Sequence, residues 1–359
     1  MSIFVLPPYP LKPLSRISPS RYSALCACAL KEIWASDRHL SLLPVSPSAH
    51  LGVIAHKLLE MAFAGHLADE DGMQSCWEKE VQQHESVMRN NPLERHLIPL
   101  ASHANNYRVK QIMAYNVVRP LFREVGQNTK TGKSAVELWV QTEDGKIGGK
   151  IDMVKHTNEG TSIIDYKTGM ITDPNRNGDI KEDYKIQIKM YAALYSMTCG
   201  NWPDKLVLMG LNQREYTIPF DKEGCLSIVK SAIDHFDGLN SRIEYGLDAE
   251  IFATPAPETC RYCVYRPACK SYWTIRDQNG WPLDFEGVII EKQVLGNGLF
   301  KVKLDNEGKT TVIRGLSPDR HTFLNNDTSE AMFCNLAMDT VSGYYKETLM
   351  TTGYGSNEK

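Results

Sequence analysis

The stretch TSIIDYKTG, residues 161–169, decides the fold of the chain around it. An apolar run that ends in Asp165, Tyr166 and Lys167 predicts a β-strand with charged residues at its end. Because successive side chains of a strand point to opposite faces, Asp165 and Lys167 share one face and Tyr166 lies on the other. Taken alone, such an Asp-x-Lys pair is usually a surface ion pair, so the neighbouring segments must decide its meaning.

Two more strands are predicted before this one. SAVELWVQT and KIGGKIDMV alternate with period two, and the Asp144-Gly145 step between them favours a hairpin turn. Hairpin pairing then brings Asp152, on the second of these strands, beside Asp165. A polar loop from Thr168 to about Asp179 and the buried-type strand KLVLMGL are predicted farther along.

Six helices are also predicted between Ser18 and about Tyr245. The predicted helices are Ser18 to about Trp34, Pro47 to His66, two between about Glu70 and Val125, Asp183 to Met197, and Leu226 to about Tyr245.

Three residues on these helices are candidate partners of the carboxylates. Gln187 and Tyr191 are four apart and therefore share a helix face, and His56 lies on an earlier helix. Each has a structural alternative: a lone helical His is usually a partly buried residue, and Gln187 and Tyr191 could simply cap the sheet. Their joint occurrence in this order favours a functional site.

The order His, Asp, Asp-x-Lys, Gln-x-x-x-Tyr resembles the RecB-like branch of the PD-(D/E)XK nucleases, whose pieces read GxxxH, GxxD, DxK and QxxxY. In this chain they are Gly52–His56, Gly149–Asp152, Asp165–Lys167 and Gln187–Tyr191. The resemblance implies an α/β, restriction-endonuclease-like core with a mixed central sheet flanked by helices. It also implies a metal-dependent deoxyribonuclease, a phosphodiester hydrolase that acts mostly on DNA ends or single strands, often as an exonuclease.

The chemistry of such a nuclease fits these residue types. Hard oxygen ligands suit Mg²⁺ or Mn²⁺, so Asp152 and Asp165 are expected to hold the ion, with His56 and the Tyr166 carbonyl as further ligands. Lys167 is expected to orient the attacking water and offset negative charge. Support of the site or contact with the DNA backbone is expected of the remaining pair, Gln187 and Tyr191.

A second constellation is CRYCVYRPAC, with Cys260, Cys263 and Cys269 closely spaced. Because the N-terminus shows no secretory signal, an intracellular, cytoplasmic and reducing location is expected, and thiols or metal ligands are favoured over disulfides. A metal site of three cysteines needs a fourth ligand. The other cysteines, Cys76, Cys199, Cys225 and Cys334, are scattered and are expected to be buried thiols.

The segment SPSRYSALCAC, residues 18–28, resembles the opening of the iron–sulfur RecB-like nucleases, among them CRISPR-adaptation nucleases and the AddB-type and exonuclease V-type domains. The resemblance implies a [4Fe–4S] cluster on Cys28, Cys260, Cys263 and Cys269. Ala29 stands where the family usually has proline, and Cys26 competes with Cys28 for the ligand role. Zinc on the same cysteines is the alternative occupant.

Composition sets further limits. The formal net charge of −3 gives no global positive field, so DNA must meet a local basic patch or a partner must help. No apolar run approaches the roughly 20 residues that span a bilayer, so no membrane partner is expected. GQNTKTGKS, residues 126–134, has five residues between its glycines where a P-loop has four, and a helix precedes it, so no nucleoside triphosphate is expected.

From Asp284 onward the pattern changes to five short strands: GVIIEKQV, LFKVKLD, TTVIRGL, AMFCNLAM and YYKETLM. The predicted domains are an irregular N-terminal segment at 1–17, a RecB-like nuclease domain at 18–280 with a helical lobe stapled by the cluster, and a small all-β, OB-like domain at 284–359.

The expected function is cleavage of DNA, with single strands preferred, in repair, recombination or anti-phage and CRISPR-type processing. Without a helicase motor, any unwinding must come from a helicase or another protein partner. The alternatives are a non-catalytic DNA-end-binding or assembly subunit, and a zinc-stapled adaptor. The adaptor leaves Asp152, Asp165 and Lys167 unexplained.

Overall fold

The structure is a computed structural model that describes residues 4–37, 39–124, 135–174, 176–276 and 279–356. The described chain divides into two compact units. The central unit comprises Pro13–Cys26 and Pro47–Gly246, and the terminal unit comprises Met1–Lys12, Ala27–Ser46 and Leu247–Lys359. The cysteine-rich segment thus groups with the C-terminal strands. None of the helices in the described ranges is long and apolar enough to cross a membrane.

The regular elements have the following bounds. The α-helices are α1 Pro19–Ala27, α2 Ala29–Ser36, α3 Pro47–Phe63, α4 Glu70–Asn90, α5 Leu100–His103, α6 Tyr107–Glu124, α7 Glu182–Cys199, α8 Lys222–Glu244, α9 Pro257–Cys260 and α10 Lys270–Ile275. The strands are β1 Ala135–Gln141, β2 Gly148–Thr157, β3 Gly160–Lys167, β4 Lys205–Gly210, β5 Glu215–Thr217, β6 Phe285–Val294, β7 Phe300–Asn306, β8 Lys309–Leu316, β9 Glu330–Cys334, β10 Ala337–Met338, β11 Tyr345–Lys346 and β12 Thr352–Gly355.

In the described part of the central unit, five strands form a mixed sheet in the order β1-β2-β3-β4-β5. Only β3 and β4 pair in parallel; the other neighbours are antiparallel. The predicted β1–β2 hairpin is confirmed, and Gly145 adopts the positive φ of 69° that its turn requires.

Helix α7 makes the crossover that the parallel pair needs, and it packs against β1, β2, β3 and β4. Helix α8 packs against α7, and α3 packs against α4, α6 and β1. The sheet is therefore flanked by helices, as predicted. The mixed α/β architecture fits a restriction-endonuclease-like fold.

The predicted helix from Ser18 to about Trp34 is two helices in the structure. The chain breaks at Cys28, whose φ of −160° and ψ of 103° are those of extended backbone. Cys28 is buried, whereas Cys26, at the end of α1, is exposed. The break therefore directs the two nearby thiols into different surroundings.

The described part of the terminal unit carries a seven-stranded sheet in the order β10-β11-β8-β7-β6-β9-β12. The prediction of five strands is wrong in two respects. Its segment AMFCNLAM is divided into β9 and β10 by Asn335, which has a left-handed φ of 62°, and β12 was not foreseen. Alternating side chains of this sheet, among them Phe300, Val302 and Leu304, form its apolar core.

A buried ion pair anchors the first strand of this sheet. Arg266 and Asp284 are 2% and 0% exposed, and two guanidinium N–H groups donate to the Asp284 carboxylate, at 2.5 and 3.2 Å. Tyr272 Oη and the Asn335 backbone N–H also donate to it, at 2.8 and 2.7 Å. Burial by itself would raise the pKa of Asp284, but Arg266 and these hydrogen bonds lower it below the ordinary value.

We expect Asp284→Asn to lower the free energy of unfolding by about 3–5 kcal/mol, because it leaves the buried Arg266 charge without an opposite charge. The contribution of the ionised carboxylate is present above its unfolded pKa of about 4 and is lost as the pH falls through its lower folded pKa. Chemical denaturation of both proteins between pH 3 and 7 measures this.

The matched control is Glu291→Gln, which removes a carboxylate from an exposed ion pair with Lys301 in the same sheet. That substitution should leave unfolding unchanged. Equal stability of the Asp284→Asn variant and wild type would contradict the role given to the buried pair.

Candidate metal and cysteine sites

The two carboxylates predicted to meet lie on neighbouring strands, β2 and β3. The β2–β3 ladder reaches the pair Met153 and Ile164, and Asp152 and Asp165 stand next in register. There the Asp152 Oδ2 accepts a hydrogen bond from the Tyr166 backbone N–H at 2.8 Å. The hairpin register therefore brings together the residues that the sequence identified.

Lys167 and Gln187 hold the second carboxylate. Gln187 Nε2 donates to Asp165 Oδ1 at 2.8 Å, and Lys167 Nζ donates to Gln187 Oε1 at 2.6 Å. The Lys167 Nζ also lies 2.7 Å from Asp165 Oδ2. One amide from α7 thus faces both the carboxylate and the ammonium group, and it fixes their relative position.

Asp165 is 2% exposed, and the Lys167 ammonium, 2.7 Å from its Oδ2, is the positive charge that pairs with it. Burial raises the pKa of Asp165 to about 6, repulsion from Asp152 adds to the rise, and the Lys167 charge opposes it. A buried carboxylate next to a second carboxylate is an environment that a divalent cation stabilises.

His56 completes the group from α3. Its Nε2 lies 3.3 Å from Asp152 Oδ1, and this hydrogen bond raises the pKa of His56, although burial alone would lower it. Within the described ranges, no group of three or more His, Cys, Asp or Glu side chains is arranged to hold a single metal ion. At this site, His56 and Asp152 pair with each other, so an ion would have to replace that contact.

Tyr166 and Tyr191 are both buried and present no side-chain ligand. The Tyr166 ring stacks on Phe63 at 4.6 Å, on the face opposite Asp165, as the alternation predicts. Tyr191 is 4% exposed, and burial raises its pKa. Tyr191 therefore supports the site from within the core, and of its two predicted roles the contact with DNA is not available to its side chain.

Close packing explains why the motif positions Gly149 and Gly52 are glycines. A Cβ atom at Gly149 would lie 3.0 Å from Pro19, which is tighter than most Cβ contacts, and 3.4 Å from the Tyr191 ring, which is ordinary van der Waals contact. A Cβ at Gly52 would lie 3.2 Å from Thr168 Oγ1, just after the Asp-x-Lys pair. The two glycines let Pro19 of α1 approach β2 closely and let α3 approach Thr168, which follows β3.

Comparison with known proteins identifies this arrangement. The model of the PD-(D/E)XK nuclease superfamily matches residues 16–270, more than half of the chain. The chain belongs to the PD-(D/E)XK nuclease superfamily. The matched region contains all four motif pieces and all the cysteines of the second constellation.

Solved structures show weaker likenesses to this PD-(D/E)XK protein. The crystal structure of SSO0001 matches at 16% identity with a TM-score of 0.26, over 53% of this chain and 81% of that one. Protein VC1899 from Vibrio cholerae matches at 14% identity with a TM-score of 0.20, over 66% of this chain and 58% of that one. The chain thus spans less than two thirds of VC1899. No curated protein sequence matches significantly.

One acidic residue near the PD-(D/E)XK site was not foreseen. Glu137 on β1 stands opposite Asp152 in the register, has a left-handed φ of 56°, and adds to the rise in the pKa of His56. Its Oε2 lies 2.8 Å from Lys150 Nζ. The sequence contained the signal for this position. Glu137 precedes Asp144 by as many residues as Asp152 follows Gly145, so pairing across that turn places the two acidic residues opposite each other.

The four cysteines that the resemblance selected line one cavity of the terminal unit: Cys28, Cys260, Cys263 and Cys269. All four are buried, and none forms a disulfide. Burial raises the pKa of Cys263 to about 11 and of Cys269 to about 12. Burial thus favours the neutral thiols, and a positively charged occupant would be needed to hold these groups as thiolates.

Cys26 lies elsewhere. Its Sγ is 3.6 Å from His235 Nδ1, it is exposed, and it does not line the cavity. Cys28 therefore takes the position for which the two competed. Among the scattered cysteines, Cys225 and Cys334 are buried as predicted, whereas Cys199 is exposed and Cys76 is half-buried.

Arg266 holds the loop that carries three of these cysteines. Its Nη1 donates to the backbone carbonyls of Cys263 and Cys260, at 3.2 and 3.3 Å. The guanidinium thereby fixes the backbone from which the thiols project, and its charge lowers the pKa of Cys260 against the effect of burial.

The P-loop-like segment, residues 126–134, lies outside the described residues. The rejection of nucleotide binding there stays a prediction from its spacing.

We expect Gly149→Ala to destabilise the protein by about 1–3 kcal/mol, because the added methyl group overpacks the space beside Pro19 and Tyr191. Gly238→Ala is the control, since Gly238 lies within α8 and a Cβ there meets no atom within 4 Å. It should stabilise the helix by about 0.4–1 kcal/mol. Thermal unfolding that ranks the two variants in the reverse order would contradict the packing argument.

Proposed function

We propose that the chain is a metal-dependent DNA nuclease that hydrolyses phosphodiester bonds. The observation that carries the proposal is the buried Asp165 carboxylate, held beside the second carboxylate of Asp152 and paired with the Lys167 ammonium. A structural ion pair has no need of the second carboxylate, which raises the pKa of Asp165 and so works against the ionised form.

The ligands for Mg²⁺ or Mn²⁺ in this proposal are Asp152, Asp165, His56 and the Tyr166 carbonyl. When bound, the ion supplies Lewis acidity at the scissile phosphate and lowers the pKa of an attacking water. Two of the three N–H groups of Lys167 face Asp165 and Gln187, which leaves one for the water or a phosphate oxygen. Its charge then offsets the negative charge that develops in the transition state.

Gln187 is a positioning residue in this scheme. Its amide oxygen faces the ammonium group and its amide nitrogen faces the carboxylate, so each group keeps a defined place. The Lys167 Nζ also lies 4.4 Å from the centre of the Tyr184 ring, which further restricts the long side chain.

We further infer that the substrate is DNA, with single strands and free ends preferred and exonucleolytic cleavage the mode. The resemblance to RecB-like nucleases supports this, together with repair, recombination or anti-phage and CRISPR-type processing as the setting. The weakly negative net charge supports a local contact surface and a helicase or other protein partner that delivers single strands.

For the four buried cysteines we propose a [4Fe–4S] cluster. The resemblance to the iron–sulfur RecB-like nucleases supports this cluster, and the four thiols line one cavity in which each would bind one iron. Zinc on the same cysteines is the alternative occupant. It would join the segment at Cys28 to the segment that begins at Cys260.

We also propose an OB-like barrel for the C-terminal strands. The bent segment of β9 and β10 pairs with β6 at one end and with β11 at the other. The strands β6, β7, β8 and β11 pair in this order, and β10 and β9 together lead from β11 back to β6. This pairing supports a closed barrel in which β9 and β10 count as one of five strands.

Among the aromatic residues considered for base stacking in this barrel, Phe285 and Phe300 are buried in its core, and Tyr345 packs on Phe285 at 4.3 Å. Tyr344 is exposed, with the Arg314 guanidinium 5.5 Å from its ring. A base stacked on Tyr344 would have a cation beside it, which supports the binding of single strands.

Lys167→Ala should lower the rate of DNA cleavage by about 10²–10³-fold, because it removes a charge that stabilises the transition state. The assay is cleavage of end-labelled single- and double-stranded DNA with Mn²⁺, Mg²⁺ or EDTA. The wild type should cleave with either ion and not with EDTA. Lys185→Ala, on the same helix as Gln187 and paired with Glu182, should cleave like wild type.

The alternative function is a non-catalytic subunit that binds DNA ends. Retention of Asp152, Asp165 and Lys167 in one site speaks against it. Absence of cleavage on every substrate by folded wild-type protein loaded with its cluster, in either metal, would overturn the nuclease and favour the alternative.

Cys28→Ser should lose most of its iron, its acid-labile sulfide and its absorbance near 400 nm, and it should unfold at a lower temperature, because the cluster contributes to folding. Cys26→Ser is the matched control, two residues away and outside the cavity, and it should keep all four properties. Elemental analysis of anaerobically purified protein gives the iron and zinc content. Zinc in place of iron in the wild type would refute the cluster.

A further inference from the structure

A groove of about 510 Å³ opens beside the Asp-x-Lys pair of the central unit. One wall begins at Thr168 and Gly169, the residues that directly follow Lys167, and it continues to Thr172. The groove is also lined by the last residue of β4, Gly210, and by Leu211 and Asn212, which follow it. The groove therefore lies at the carboxyl ends of the two parallel strands, which is where open α/β sheets bind ligands.

The opposite wall is the face of α6 that carries Val109, Lys110 and Met113. This wall is tied to the turn between β4 and β5, because Gln213 Nε2 donates to the Asn116 carbonyl at 2.9 Å. The groove is thus bounded by a helix and a hairpin turn that hold each other in place. Its volume is within the range of about 300–1,000 Å³ that ligand sites occupy.

The charge of the groove is positive. Lys110 and Arg214 line it, and the described residues that line it include no Asp or Glu. Neither cation forms a salt bridge with another described residue, and Lys110 Nζ has the Ser48 carbonyl at 3.5 Å as its neighbour. Burial lowers the pKa of Lys110, which an incoming anion would reverse.

Apolar side chains stand open between these cations. Val109 and Met170 are 54% and 64% exposed, and the half-buried ring of Tyr216 lines the same groove. A small inorganic anion makes no use of such a surface. A nucleotide does, because its phosphate needs a cation while its base and sugar pack on apolar and aromatic groups.

We propose that this groove binds the single strand on one side of the scissile phosphate, with Lys110 and Arg214 contacting backbone phosphates. Val109, Met170 and Tyr216 take the sugars and bases. The proposal rests on the nuclease function and adds the path of the substrate. The preference for single strands follows from the apolar surface, which a duplex with stacked bases cannot use.

The test uses Lys110→Gln with Arg214→Gln in the full chain, beside Arg108→Gln. Arg108 lies on the same helix, is exposed, and does not line the groove. Binding of a fluorescent thymidine oligonucleotide is measured by anisotropy in Ca²⁺, which permits binding without turnover. The double variant should bind about tenfold more weakly at low salt. Its slope of log affinity against log salt should fall by about 1.4, since each lost phosphate contact removes about 0.7.

Cleavage gives a second readout. In Mn²⁺ the double variant should show a KM raised about tenfold and a kcat within about twofold of wild type, because the substitutions leave the Asp165 group intact. Arg108→Gln should match wild type in affinity, salt slope and KM. Should the double variant unfold, Arg214→Gln alone decides the matter, since Arg214 is exposed and its loss leaves the core untouched.

The groove and the nuclease function can fail separately. An unchanged salt slope and KM in the double variant, with cleavage that Lys167→Ala abolishes, would overturn the groove and leave the nuclease. Loss of binding in the double variant, with no cleavage by wild type, would support the groove and overturn the nuclease.

Discussion

The central unit keeps the carboxylate of Asp165 buried beside a second carboxylate. The residues around Asp165 are those that stabilise this buried charge. A buried charge is stable only when it is paired and hydrogen-bonded, and here Lys167 and Gln187 supply the ammonium and amide groups. Gln187 reaches the carboxylate because α7 crosses from β3 to β4 over the sheet. The parallel pair of strands and the chemistry at their ends are therefore parts of one arrangement.

A similar dependence on one buried group holds in the terminal unit. Arg266 donates both to the carbonyls of the cysteine loop and to Asp284, which stands immediately before β6. Its guanidinium also donates to Asn335, the residue at which β9 bends into β10. A single planar group with five donors thus fixes the loop that carries the thiols and two points of the sheet.

Much of the site was predictable because it depends on local order along the chain. The Asp-Gly turn sets the hairpin register, strand alternation separates Tyr166 from Asp165, and helical spacing places Gln187 and Tyr191 on one face. The same register would also have located Glu137. The prediction of one helix from Ser18 to about Trp34 was wrong, because no residue near Cys28 indicates that its backbone is extended.

The sequence by itself determined which residue types meet at the two sites: the carboxylates with a lysine, and the cysteines near residue 260. These follow from short-range periodicity and from spacing. Only the tertiary structure decided that Cys28 and not Cys26 faces the cavity, that Tyr191 is buried against Gly149, and that Lys110 and Arg214 line one groove. Those outcomes depend on contacts between segments far apart in the chain, whose packing no local pattern specifies.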